Sequence, residues 1–265
     1  MSIILDNDII TVIESAVTVQ STATGFNKVN VMNHAYLKRR WRMDALTKSD
    51  TNPVMYFDMG SAQTVAAIVL DDVNFDKVII KGHATSLTTD WTAASFTTTT
   101  LTVSKDMQTD RYKIYIPLTA FNFRWLAIIV PTTATAVGSY TSKWEIGRVV
   151  LMDTATEFSR NMSVGYERGA ERAYSELELA SGHLERNIEG EIKWTGTLYF
   201  NYRKGAEEND LTTLNNMDIG ATLVFYENNG DTSKVYICLR DDNYSGTYLA
   251  EGIVQGSSIK LRERI

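Results

Sequence analysis

The sequence predicts an all-β protein: a β-sandwich over the first half and a β-rich module with one short helix over the second. Three observations predict it. Threonine, valine, isoleucine and tyrosine are abundant, and turn residues recur at short spacing, the pattern of many short strands. Two runs, Ala66–Leu70 and Arg124–Val130, are almost wholly apolar and suit central strands covered on both faces. The stretch Ile188–Tyr202 alternates with period two, a strand rhythm rather than a helical one. The chain has 265 residues, 44% apolar and 22% charged, enough for one large or two ordinary globular domains.

The elements follow in order. Candidate strands of the first half are Val54–Asp58, Val65–Leu70, Lys77–Lys81, Tyr112–Ile116, Arg124–Val130 and Ile146–Leu151, with Gly60-Ser61, Asp71-Asp72 and Pro117 as breaks between strands. Thr85–Ser104 is dominated by hydroxyl side chains and reads as a loop plus an edge strand, because β-branched threonine suits an exposed pleated face. A break near Asp153–Asn161 divides the chain into 1–153 and 154–265. Beyond it, even positions hold Ile188, Gly190, Ile192, Trp194, Gly196, Leu198, Phe200 and Tyr202, which predicts one strand far longer than the usual five or six residues or so. Such a strand curls around a barrel or reaches past its own domain toward a neighbour. The spacing of Leu211, Leu214 and Met217 predicts a short helix over Glu207–Met217, with acids in its first turn. Ala221–Tyr226 and Val235–Leu239 flank Asn228-Asn229-Gly230-Asp231, a hairpin turn. The alternating Ser258–Ile265 ties the end into a sheet.

Charge and composition exclude several classes of function. Net charge is −6, and it lies in the second half: residues 1–153 carry 14 basic and 14 acidic side chains, residues 154–265 carry 12 and 18. An acidic half lacks the basic footprint of a nucleic-acid surface, Lys38–Arg42 being the one exception. A single cysteine, Cys238, excludes a disulfide framework and a cysteine metal site, and it reads as an ordinary strand residue. His34, His83 and His183 lie in unrelated contexts, and no nucleophile elbow, phosphate-cradling loop or well-placed carboxylate dyad accompanies them. The expectation is therefore no enzyme and no cofactor. No run is long enough to span a membrane, and the first residues lack a signal-peptide pattern, which fits a reducing cytoplasm.

Two resemblances sharpen the reading. Trp41-Arg42, Val54-Met-Tyr-Phe-Asp-Met-Gly-Ser-Ala-Gln-Thr-Val65, Asp90-Trp91, Arg124–Val130 and Glu145–Met152 together resemble the galactose-binding-like (discoidin-type) jelly roll. Ser181-Gly182-His183 before the long strand, the helix, Gly220–Tyr226 and the hairpin resemble the C-terminal part of minor tail proteins of long-tailed bacteriophages. The combination implies a structural virion protein of a phage tail tip or baseplate, a distal tail component assembled in the host cytoplasm. It would form a ring with copies of itself and dock other tail proteins, with DNA only as passing cargo. The alternative is a carbohydrate-binding module for a cell-surface glycan.

Candidate residues follow. An aromatic to stack on a sugar, beside acids for its hydroxyls, points to Trp91 with Asp90, then Trp41. For both tryptophans a structural role is the stronger reading, Trp41 as a plug in the sandwich with Arg40 and Arg42 turned to solvent, and Trp125, Trp144 and Trp194 read as core. Asp71, Asp72 and Asp76 could supply oxygens to a calcium ion, or form a solvated acidic turn. The assembly interface falls on Ile188, Glu189, Glu191, Lys193, Arg39 and Arg40, the arginines facing the acidic half of a neighbouring copy or solvent. Glu189 and Glu191 would line a lumen that lets DNA pass.

Overall fold

The computed structural model describes residues 3–8, 17–32, 39–84, 90–118, 122–157, 167–178, 181, 184–188, 192–199, 216, 222–227, 231–241, 246–250, 253–256 and 258–264. In chain order the strands are β1 (Ile3–Asp8), β2 (Val17–Val19), β3 (Trp41–Arg42), β4 (Met55–Thr64), β5 (Ala67–Val73), β6 (Lys77–His83), β7 (Phe96–Thr97), β8 (Leu101–Thr102), β9 (Ser104–Lys105), β10 (Tyr112–Pro117), β11 (Asn122–Ile129) and β12 (Glu145–Glu157). They continue with β13 (Glu167–Glu171), β14 (Tyr174–Glu178), β15 (Leu184–Ile188), β16 (Lys193–Tyr199), β17 (Leu223–Tyr226), β18 (Val235–Arg240), β19 (Gly246–Ala250), β20 (Ile253–Gly256) and β21 (Ser258–Glu263). The protein is all-β, as its sequence predicts. The expected helix at Glu207–Met217, apart from Asn216, and the Asn228–Gly230 turn, His34 and His183 lie outside the described residues.

The sandwich packs a sheet ordered β2-β4-β11-β6-β7 against the strands β12, β5, β10 and β9 of a larger sheet. Alternation places Ile68 and Leu70 of β5 inward, where they meet Leu126 and Ile128 of β11 and Ile146, Val149 and Leu151 of β12. Trp41 and Trp144 are fully buried in this core, and their indole N–H groups donate to Thr22 Oγ1 (3.2 Å) and the Thr47 carbonyl (2.8 Å). Trp41 is thus the plug. Arg40 and Arg42, however, do not turn to solvent, as shown below.

The larger sheet does not stop at the sandwich. It runs β13-β16-β21-β18-β17-β1-β12-β5-β10-β9, so it is shared by both halves of the chain. The division at 153/154 falls inside β12, which pairs β1 through Glu157, while β1 pairs β17 on its other edge. The sheet folds over the outer face of β5, β10 and β12. There Val69, Tyr115 and Val150 pack on Val224, Tyr226, Val235 and Ile237, and the Tyr115 and Tyr226 rings stack at 4.2 Å. Burial on two faces is the physical reason that Ala66–Leu70 is apolar at consecutive positions.

The expected single strand over 188–202 is a correction. The structure ends β15 at Ile188 and begins β16 at Lys193. Parity nevertheless holds along β16, where Trp194, Gly196 and Leu198 are buried and their neighbours are not. The Trp194 ring lies flat over Gly196, where an added Cβ would come within 2.3 Å of it, and stacks on Tyr236 at 4.2 Å. β21 is tied between β16 and β18, as the alternation at the end of the chain predicts.

Candidate functional site

Three places bear on function: a buried ionic seam, a projecting hairpin and a polar cleft. The seam lies where the second half covers the charged end of the sandwich's outer face. Asp71 on β5 stands directly opposite Lys113 on β10 and Arg148 on β12, so the three side chains share that face. Asp71 pairs with Arg111 (3.1 Å) and with Arg148. Arg111 also pairs with Glu263 of β21, whose other oxygen accepts the Trp194 backbone N–H at 2.8 Å. Lys113 lies 2.9 Å from Asp106 and 4.1 Å from the centre of the Tyr236 ring. All these ionic side chains are buried. Burial alone would raise the Asp71 carboxyl, but Arg111, Arg148 and Lys113 together hold it well below the ordinary carboxylate range. Burial and the nearby Glu263 push the Cys238 thiol up. The sequence reading missed this seam. Its signal was charge at positions in register on three strands, which looks like an ordinary wet face until a second layer is laid over it.

The proposed calcium ligands diverge. Asp71 belongs to the seam. Asp72 turns the other way, at φ +58°, to meet Arg40 at 2.9 Å. Asp76 accepts the Thr135 N–H and hydroxyl, both at 2.6 Å, and fastens that loop. Among the described residues no three His, Cys, Asp or Glu side chains converge as a metal site.

Trp91 is only 4% exposed and offers no open face to a sugar. It folds back on Tyr56 (5.6 Å) and His83 (5.4 Å), and its carbonyl accepts the Lys81 ammonium at 2.9 Å. Asp90 takes the Thr92 hydroxyl and N–H, which lower its carboxyl and fix the local turn. Hydroxyl-rich flanks disguised a tryptophan that covers the outer face of the sandwich. On the same face Trp125 is half-buried beside Tyr56 at 5.8 Å, so it is not a core residue, whereas Trp144 and Trp194 are.

Two arginines of the basic run, both partly buried, are held by carboxylates of the same chain. Arg40 bridges Asp72 and the buried Glu145. Arg42 pairs with Glu145 and is sandwiched between Phe26 and Tyr140, at 3.9 and 4.0 Å from the ring centres. Of the two arginines of the expected interface, Arg40 is thus engaged within its own chain and Arg39 is exposed.

The hairpin is formed by β14 and β15, which prolong the β13–β16 pair beyond the large sheet as a separate two-stranded arm. Tyr174 pairs with Ile188 and Glu178 with Leu184. Tyr174, Leu177, Leu184 and Ile188 are 55–61% exposed, and they lie on both faces of the arm. Of the expected interface, Ile188 thus sits on the arm, and Lys193 is half-buried at its root opposite Glu171. Glu189 and Glu191 lie outside the described residues.

The cleft, of about 420 Å³, opens between the sandwich and the root of the arm. Its walls are the end of β5 with Asp72 and Asn74, the turn 109–112, the loop 137–140, and Arg172 with Ile192.

No protein-family model matches the sequence, and no curated protein matches it. The chain is similar to several solved structures over about half its length. One is chitosan-binding module 1 derived from the chitosanase/glucanase of Paenibacillus sp. IK-5: 16% identity, 55% of this chain and 98% of that one, TM-score 0.34. Another is CpGH89CBM32-4 of Clostridium perfringens: 14% identity, 54% and 98% coverage, TM-score 0.33. The same module in complex with glcNAc-alpha-1,4-galactose gives 16% identity, 51% and 88% coverage, and a TM-score of 0.31.

Proposed function

We propose that this chain is a non-catalytic structural subunit that works by self-association. One observation carries the reading: an isolated two-stranded arm with four large apolar side chains exposed on its two faces. A lone hairpin is marginal in water, and it gains stability when a further strand or surface covers it. A second copy of the chain is the simplest such surface. In its finer form the proposal, drawn from the sequence resemblance, is a ring in a phage tail tip or baseplate. Other tail proteins would dock there, DNA would pass through, and assembly would take place in the host cytoplasm. Sedimentation velocity over a hundredfold concentration range tests the association. A discrete oligomer that dissociates on changing Leu184 and Ile188 to Ser supports it. A monomer at every concentration refutes it.

A second reading, recognition of a surface glycan, is favoured by the polar cleft and not by Trp91. Binding of the intact chain to a saccharide microarray supports it; a blank array refutes it.

A further inference from the structure

We infer that the cleft between the sandwich and the arm root is the ligand site for a neutral saccharide of one or two rings; this rests on the glycan reading above. The volume, about 420 Å³, is that of a small-molecule site. The walls are rigid before any ligand arrives. The Asn74 side chain donates to the carbonyls of Tyr140 (2.8 Å) and Lys143 (2.6 Å) and accepts the Glu145 N–H (2.7 Å). Those three bonds clamp the 137–145 loop to the end of β5. Opposite, the turn before β10 is closed by the Asp106 N–H on the Arg111 carbonyl (2.8 Å) and the Asp110 N–H on the Asp106 carbonyl (2.7 Å). A preformed wall spares a ligand the cost of ordering it.

Backbone strain marks the same place. Among the described residues, two non-glycine positions have positive φ, Asp72 (+58°) and Asp110 (+61°), and both line this cleft. Glycine holds that conformation without strain, so an aspartate there keeps its carboxylate at a conformational cost. Across β12, Gly147 leaves room for the kink: a Cβ there would lie 2.7 Å from Asp72 Cβ.

The lining chemistry selects the ligand. Cations (Arg40, Lys105, Arg111, Arg172) and carboxylates (Asp72, Asp110, Glu145) line it together, with Arg40 paired to Asp72 and Glu145 and Lys105 to Asp110, so donors and acceptors lie side by side and charge is nearly balanced. A phosphate or sulfate would meet carboxylates, and an apolar ligand would strip water from ions without replacing it. Hydroxyl groups both donate and accept, and they satisfy both kinds of wall group. Tyr112, half-buried, adds ring surface for the C–H face of a sugar, beside Tyr140, one face of which carries Arg42.

The experiment uses the full chain and three variants, Asp72→Gly, Asp110→Gly and Arg172→Ala. Neutral mono- and disaccharides bound on a microarray are quantified by calorimetry, beside thermal melting. Glycine relieves the strain at both aspartates, and Glu145 still holds Arg40, so each variant melts within a few degrees of the parent. Binding weakens at least tenfold in the glycine variants and severalfold in Arg172→Ala. Saccharide binding that all three variants leave unchanged overturns this site while sparing the glycan reading. Absence of binding to every saccharide overturns both, as does selective binding of sulfated or phosphorylated probes for the ligand class.

Discussion

The seam and the arm are built from the same residue types and behave in opposite ways. Both set basic side chains against acidic ones. In the seam, Asp71, Glu263 and Asp106 face Arg111, Lys113 and Arg148 behind a complete second layer. In the arm, Glu176 and Arg186 also pair, but in solvent, with side chains 38% and 64% exposed. The difference teaches that composition does not set the worth of a charge; what lies over it does. A buried ion pair broken on one side leaves an uncompensated charge, whereas an exposed pair is worth little. The seam therefore fastens the two halves into one body, and the arm contributes almost nothing to the fold of the chain that carries it.

The largest expected effect breaks the seam. Asp71→Ala leaves Arg111 and Arg148 facing each other and should cost about 3–5 kcal/mol in urea denaturation, the range for a broken buried pair. A loss below about 1 kcal/mol would mean that water reaches the seam. Acid comes next. The Asp71 and Asp106 carboxyls, despite their burial, are held below their ordinary range by the neighbouring cations. Their stabilisation is complete above the ordinary carboxylate pKa of about 4 and fades as pH falls through and below it. Thermal melts from pH 7 to pH 3 should show a fall that Asp71→Asn makes shallower. Third, Cys238, buried beside Glu263 with its thiol pushed up, should react with a thiol reagent only as fast as the protein unfolds. Rapid native reaction would show a gap between the halves. The smallest effect on stability comes from the arm: Leu184→Ser with Ile188→Ser should change unfolding free energy by no more than about 0.5 kcal/mol in dilute solution. The same pair should weaken association.

Much of the sandwich was legible from the chain alone. The strands from Val54 to Leu151 stand where period-two and all-apolar runs put them, because inward residues such as Ile68, Leu126 and Ile146 must be apolar whatever covers the outside; the expected breaks at Gly60-Ser61 and Asp71-Asp72 are corrections, since β4 and β5 run through them. What covers the outside was not legible. Asp71, Lys113 and Arg148 are separated in sequence, and only strand register brings them together under β18 and β21. For the same reason Arg40 and Arg42 looked solvated, although Glu145 and Asp72 hold them. Trp91 misled through its polar neighbours. The break between Ile188 and Lys193 was hidden because the alternation of residue types in the sequence runs straight through it. The cleft as a whole was not legible, since its walls come from many separate stretches and its strained aspartates are ordinary residues until their φ angles are known.

Hydrogen exchange, followed residue by residue in dilute and concentrated solution, tests the central claim most directly. If the arm is completed by another copy, amides 174–178 and 184–188 exchange freely when the protein is dilute and become protected when it is concentrated. The strands β5, β11 and β12 stay protected in both. Equal exchange of the arm at both concentrations would contradict the account.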